Sequence, residues 1–182
     1  MNRKLLYRKL DRFLGIPILM VLALLFKRRK SFPAYDINQI LVVKFAAIGD
    51  SIMLIPMLRT LRRAYPKAEI TFLCSEINES IIRKVPYVDK VLVENVHSYL
   101  KNPFKFLRMI FSLRKNKYSI IIDTEQWSRI SAIIIGLLRY QFSVGFKTQG
   151  QYKHIMFNRV INHSREKHEL DTFIDLLTPL FV

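Results

Sequence analysis

Hydrophobic and polar positions change their period repeatedly along this chain. From residue 40 onward, short runs of apolar, β-branched or aromatic residues alternate with longer stretches in which apolar residues recur every three or four positions. Runs at 40–45, 70–73, 91–93, 119–122 and 142–144 predict short buried strands. The stretches between them, 51–65, 78–84, 103–116 and 129–139, predict helices, as does 166–180. Strands that are apolar throughout and alternate with helices predict an α/β fold with a parallel sheet covered on both faces. Within the first helix, Leu54, Leu58 and Leu61 fall at helical spacing, with Arg59, Arg62 and Arg63 on or near the opposite face. Pro66 stops that helix, and Pro56 predicts a kink or a late start near Leu54, because proline lacks an N–H and clashes with the preceding turn.

Residues 13–26, FLGIPILMVLALLF, form a different pattern: 14 uninterrupted apolar or small residues between Arg12 and Lys27. As a helix they extend about 21 Å at roughly 1.5 Å per residue, short of a hydrocarbon core of about 30 Å. A signal peptide fits poorly, because Lys27-Arg28-Arg29-Lys30 follows directly where a small-residue cleavage site belongs. A true span would need thinning of the bilayer and snorkelling at both ends. An in-plane anchor fits better, its apolar run in the interface and its basic clusters on anionic headgroups. A helix that packs on the rest of the protein remains open, since 10–14 apolar residues often mark a buried helix.

Charge sharpens that reading. The formal net charge is +16, and residues 1–30, with nine Lys/Arg against Asp11 alone, hold +8 of it. At 182 residues and 51% hydrophobic, the chain has room for one ordinary domain plus an appendage. We divide it into a membrane-associating helix over 1–31 and a domain over 38–180. The single cysteine, Cys74, excludes an internal disulfide, and His97, His154, His163 and His168 show no metal-ligand spacing, so no metal or cofactor is expected. A basic chain with 12% aromatic residues could bind nucleic acid, yet half of the excess charge flanks an apolar run and no nucleic-acid motif is present.

Candidate chemistry concentrates at the Gly49-Asp50 corner. An apolar strand ends there and an amphipathic segment begins, which places a carboxylate outside the carboxyl end of a strand, where open α/β sheets bind ligands. Aspartate is ionised at neutral pH and can take a proton from an attacking hydroxyl. It is also among the best helix N-caps. Gly49 can serve a corner needing positive φ or leave room for a ligand against the backbone. Lys44, at the end of the first strand, either lines the cleft or reaches solvent. Gln126 and Arg129 follow the fourth strand at the same sheet edge, and strands one and four flank a topological switch point. Asp123 reads as a cap for the turn after its strand, and Trp127 as a core or lid aromatic.

In order and at similar spacings, VVKFAAIGDSIMLIPMLRTLRRAYPKAEITFL (42–73), PYVDKVL (86–92), IIDTEQWSR (121–129), VGF (144–146) and HELDTFIDLL (168–177) resemble the amino-terminal half of family 9 glycosyltransferases, the lipopolysaccharide heptosyltransferases and their relatives. The resemblance implies a Rossmann-like acceptor domain of GT-B architecture, in which a second domain binds the nucleotide sugar. It implies inverting transfer of a heptose-like sugar, with ADP-heptose the expected donor, to a lipopolysaccharide-core or other lipid-linked acceptor. Asp50 matches the family's proposed general base and Lys44 matches the same motif, with Gly49, Gln126 and Arg129 as acceptor-site candidates. The sequence ends about where a linker to the donor domain is expected, so a separate donor-binding half, or a truncated non-catalytic module, is the alternative. The expected location is the cytoplasmic face of the inner membrane. An acidic acceptor would also suit the basic excess, with Arg59, Arg62, Arg63, Arg83 and Lys84 either attracting it or forming a solvated helix face.

Overall fold

The strand-helix alternation folds into one sheet of six parallel strands. The computed structural model describes residues 3–25, 32, 36–99, 102–164 and 166–181, with side chains of the first helix described from residue 11, residue 12 excepted. Residues 27–30, the second basic cluster, lie outside the described residues. The elements are α1 (Arg3–Leu25), β1 (Gln39–Lys44), α2 (Ile48–Met53), α3 (Ile55–Ala64), β2 (Glu69–Cys74), α4 (Glu76–Ile82) and β3 (Lys90–Val93). They continue through α5 (Pro103–Leu113), β4 (Tyr118–Asp123), α6 (Ile130–Leu137), β5 (Tyr140–Lys147), β6 (Arg159–Asn162) and α7 (Glu169–Asp175). The strand order β3-β2-β1-β4-β5-β6 reverses between β1 and β4, so the switch point lies where the sequence places it.

Side-chain alternation sorts the strands onto two cores. On one face Ile40, Val42, Ile70, Phe72, Ile120, Ile122, Phe142 and Val144 meet Leu54, Met57, Leu58 and Leu61 of the α3 layer and Phe173 and Leu176 around α7. On the other, Leu41, Val43, Leu73 and Ile121 meet Met109, Ile110 and Leu113 of α5 and Ala132 to Ile135 of α6. Helix α3 starts at Ile55 with Pro56 in its first turn, where the missing N–H costs nothing. Leu54 caps α2 and opens α3.

Helix α6, ISAIIIGL, is apolar all round and buried from Ser131 to Gly136. Such a helix needs cover on both sides. The sheet covers one side and α1 the other: Leu19 and Leu22 of α1 are buried in the same cluster as α6. The remaining face of α1 stays exposed, with Phe13 at 82% and Leu24 at 83%. Packing and an outward apolar face therefore coexist in α1. No described helix is long and apolar enough to cross a membrane.

Strand β6 was not predicted. It is a short edge strand, mostly exposed and bounded by the polar Arg159 and Asn162, so neither apolar content nor strict alternation marks it. The last helix is also shorter than the 166–180 pattern, ending at Asp175 before a 3₁₀ turn, Thr178–Leu180, with Pro179 in its first turn.

Candidate active site at the β1–β4 switch point

Asp50 sits in the third position of α2, whose N-cap is Ala47 with no side-chain cap. The capping role open from sequence is therefore not the one Asp50 plays. Its carboxylate instead meets the Lys44 ammonium, with Oδ2 2.8 Å from Nζ. Lys44 is wholly buried at the carboxyl end of β1, so it does not reach solvent, while the Asp50 side chain keeps 30% of its surface exposed. A buried ammonium needs partners on every proton. Besides Asp50, Lys44 donates to the Thr124 carbonyl at 3.3 Å and to Gln126 Oε1 at 3.2 Å, and it lies 5.3 Å from the centre of the Phe173 ring.

Gln126 is buried and carries the contact onward. Its Nε2 donates to Glu169 Oε2 at 2.8 Å, and Glu169 Oε1 lies 3.4 Å from His163 Nε2. The polar string Asp50, Lys44, Gln126, Glu169 and His163 thus joins the ends of β1, β4 and β6 to the start of α7. Gly49 has ordinary negative φ, so the left-handed reading fails. A Cβ built on it meets nothing within 4 Å, which leaves open space beside Asp50.

Arg129 is not part of this group. Its Nη1 meets Asp11 Oδ2 of α1 at 2.5 Å, and its Nε and Nη2 donate to the carbonyls of Gln151 and Gly150, both at 2.9 Å. The side chain is almost wholly buried. It ties α1 to the loop after β5, and sequence proximity to β4 could not show this because Asp11 lies 118 residues away.

Two structural supports had no sequence signal. Glu125 is buried and accepts from the backbone N–H groups of Phe45 and Ala46 at 2.6 and 3.0 Å, which fixes the β1–α2 corner. Lys153 is wholly buried and pairs with Asp123 at 2.9 Å. Asp123 also accepts from the Glu125 N–H and the Ser131 hydroxyl, so it organises the turn after β4, as its sequence position predicts. Trp127 is half exposed and lies edge-on to His163. His168 caps α7, its Nδ1 accepting from the Leu170 N–H at 3.2 Å. Of the candidate basic residues, Arg62 is held by the Pro66 and Ala68 carbonyls and Asp89, and Arg83 pairs with Glu79 one turn away; Arg59 and Arg63 are exposed.

A parallel sheet with this order, with a buried lysine holding a carboxylate at its switch point, defines an open Rossmann-like α/β fold. Among curated proteins the chain is similar to lipopolysaccharide heptosyltransferase 1 of Campylobacter coli, 22% identical over 127 residues. That match covers 68% of this chain and 36% of the relative, so the chain spans about a third of the relative's length. No family model matches. Among solved structures, the E. coli heptosyltransferase WaaC with ADP superposes with a TM-score of 0.68 at 18% identity, over 79% of this chain and 47% of that one. A family 9 glycosyltransferase from Veillonella parvula superposes at 0.66 and 22% identity, over 82% and 43%. The resemblance read from the sequence, to the heptosyltransferases of family 9, is the one these likenesses support.

Proposed function

We propose that the chain is the acceptor-binding half of an inverting glycosyltransferase of GT-B architecture that moves a heptose-like sugar from ADP-heptose to a lipopolysaccharide-core acceptor. The carrying observation is the Lys44–Asp50 pair: a carboxylate released from capping, partly open to solvent and held by a buried ammonium beside an unoccupied approach at Gly49. As the acceptor hydroxyl attacks the anomeric carbon, Asp50 takes its proton while the new bond forms and the nucleotide leaves. Lys44 fixes the carboxylate's position, and Gln126 fixes Lys44. Gln126 and Gly49 border the acceptor, whereas Arg129 supports the fold. A donor-binding half, in the same or a separately encoded polypeptide, faces this edge of the sheet.

The outward face of α1 supports residence at the anionic cytoplasmic face of the inner membrane. Phe13, Leu14, Val21, Leu24 and Leu25 are exposed on a helix in the most basic part of the chain. In this reading α1 lies in the plane of the interface, with its Leu19 and Leu22 face kept against α6. The test is sugar transfer from ADP-heptose to lipopolysaccharide-core acceptor by the complete enzyme. Transfer by wild type that is lost in Asp50→Asn supports the reading, and full transfer by that variant overturns it.

A further inference from the structure

Helix α5 is apolar on two sides. Met109, Ile110 and Leu113 enter the core, while Phe104, Leu107 and Phe111 point away from it with 78%, 48% and 66% of their surface exposed. Spaced i, i+3 and i+7, the three outward residues fall within about 60° of one another around the helix axis and form a single stripe. A helix that packs on one face of a globular protein ordinarily turns polar residues outward. Helix α3, on the other side of the sheet, does so: it exposes Arg59 and Arg63 and no large apolar side chain. The stripe also sits on a well-begun helix, since Asn102 Oδ1 accepts from the Lys105 N–H at 3.3 Å and Pro103 stands in the first turn.

Charge around the stripe has one sign. Between Glu94 and Asp123 the sequence holds no acidic residue, and its basic residues are Lys101, Lys105, Arg108, Arg114, Lys115 and Lys117. Lys105 and Arg108 are exposed on α5 itself, and Lys115 and Lys117 are exposed just past its end. Among the described residues none of these four is held in an ion pair.

An apolar stripe among cations selects its partner. A second copy of the chain would bring like charges together around the contact. Single-stranded nucleic acid takes a basic groove, whereas the outward side of a helix is convex. An anionic lipid surface satisfies both halves, its phosphates meeting the cations and its acyl boundary the phenyl rings. Position agrees with this choice. Helices α1 and α5 lie on the same face of the sheet, Leu19 and Leu22 sharing one core with Met109, Ile110 and Leu113. Both turn large apolar side chains away from that core, whereas among the described residues α3 and α7 expose none.

We propose that α5 is a second membrane-binding element, in which Phe104, Leu107 and Phe111 enter the headgroup boundary of an anionic bilayer and Lys105, Arg108, Lys115 and Lys117 meet its phosphates. In taking α1 as the first such element, the proposal rests on the reading of α1 above. The α5–α6 face of the sheet then lies against lipid with the strands running along it. The carboxyl edge that carries Asp50 opens sideways over the membrane, toward an acceptor held in it.

The test is co-sedimentation of the full chain with phosphatidylcholine vesicles made with or without phosphatidylglycerol. Four paired variants are compared: Phe104→Gln with Phe111→Gln, Lys105→Gln with Arg108→Gln, Arg59→Gln with Arg63→Gln on α3, and Phe13→Gln with Leu24→Gln on α1. All replace exposed side chains with a good helix former, so the fold is kept. The expected result is that the chain prefers the anionic vesicles and that each α5 pair weakens this binding about tenfold or more, while the α3 pair, with the same charge change as the second, weakens it far less. Wild-type binding by both α5 pairs overturns the proposal, and if the α1 pair then weakens binding the α1 reading stands alone. Loss in the α5 pairs with none in the α1 pair keeps the proposal and removes the α1 reading. Equal loss in the α3 pair means that total charge acts rather than this face, and overturns the proposal. A phenylalanine pair that instead dissociates an oligomer in light scattering without lipid makes the stripe a contact between copies, which also overturns it.

Discussion

Lys44 and Asp50 stand 2.8 Å apart at the end of β1, the lysine wholly buried and the aspartate partly in solvent. A second lysine–aspartate pair, Lys153 and Asp123, stands 2.9 Å apart at the end of the adjacent strand β4, and neither member is exposed. The two pairs project to opposite faces of the sheet: Lys44 follows the alternation of Ile40 and Val42, and Asp123 that of Ile121. Exposure separates their roles. Of the four side chains only Asp50 is open to solvent, while the Lys153 pair braces the turn that carries Gln126.

Asp50→Asn in the complete enzyme should lower turnover on the order of 10²-fold, the usual worth of a general base, and cost part of the stability that the ion pair gives. The amide still accepts from Lys44. Asp50→Ala should lose the same activity and more stability, because it takes from the buried ammonium both the opposing charge and a hydrogen-bond acceptor. Adding Lys44→Met to Asp50→Ala should restore stability but no activity. Assaying transfer and thermal melting on these three variants separates a base from a structural ion pair.

Lys153→Met should destabilise the fold by about 3–5 kcal/mol, since it strands the Asp123 carboxylate in a site with no solvent. Pairing it with Asp123→Asn should recover a large part of that loss. Denaturant unfolding of the single and double variants gives the coupling. Additive effects would show that the pair contributes nothing as a pair.

The four strands beginning at Ile40, Ile70, Ser119 and Phe142 announce themselves because a parallel strand buried on both faces must be apolar, and the partly buried edge strand at Val91 does so through its β-branched and apolar residues. The break near Leu54 was legible from Pro56 for an equally local reason. The position of Asp50 was legible too, but its freedom from capping was not, because that depends on α2 starting at Ile48. Arg129 misled: its neighbours in sequence point to the cleft, and its partners are Asp11 and two carbonyls in a distant loop. Glu125, Lys153, Glu169 and His163 join the site only through pairings made by the tertiary fold, for which a single sequence carries no period or spacing.

The VGF segment illustrates a constraint visible only in three dimensions. A Cβ placed on Gly145 would lie 2.3 Å from the Phe157 ring. Gly145→Ala should therefore destabilise by roughly 1–3 kcal/mol through overpacking. Phe157→Leu in the same chain should return part of it. Chemical denaturation of the pair tests this, and a neutral Gly145→Ala would show that the ring moves freely.

The cover that α1 gives α6 has a comparable weak point. A Cβ on Gly15 would meet Arg129 Cδ at 2.9 Å. Gly15→Leu should lift α1 from α6 and speed hydrogen exchange of the α6 amides, while the amides of β1 and β2 keep their protection. Uniform exchange across the sheet and α6 would mean that α1 is integral to global folding rather than a separable cover.

Cys74 closes β2 in the core on the α3 side of the sheet and is wholly buried. Burial first, and then the Glu79 carboxylate, push its thiol up to about 11. The folded state thus holds its proton at pH values where the unfolded thiol, near 8.5, releases it. Stability from this group is complete below pH 8.5 and falls as pH rises from there toward 11. Since the thiolate is the nucleophile, iodoacetamide at pH 8 should modify native Cys74 far more slowly than the same chain in denaturant. Cys74→Ser should leave the alkaline side of the stability profile flatter than wild type between pH 8.5 and 10. Rapid native alkylation, or an unchanged alkaline slope in the serine variant, would show that the thiol is reached by solvent through opening of the β2–α4 corner.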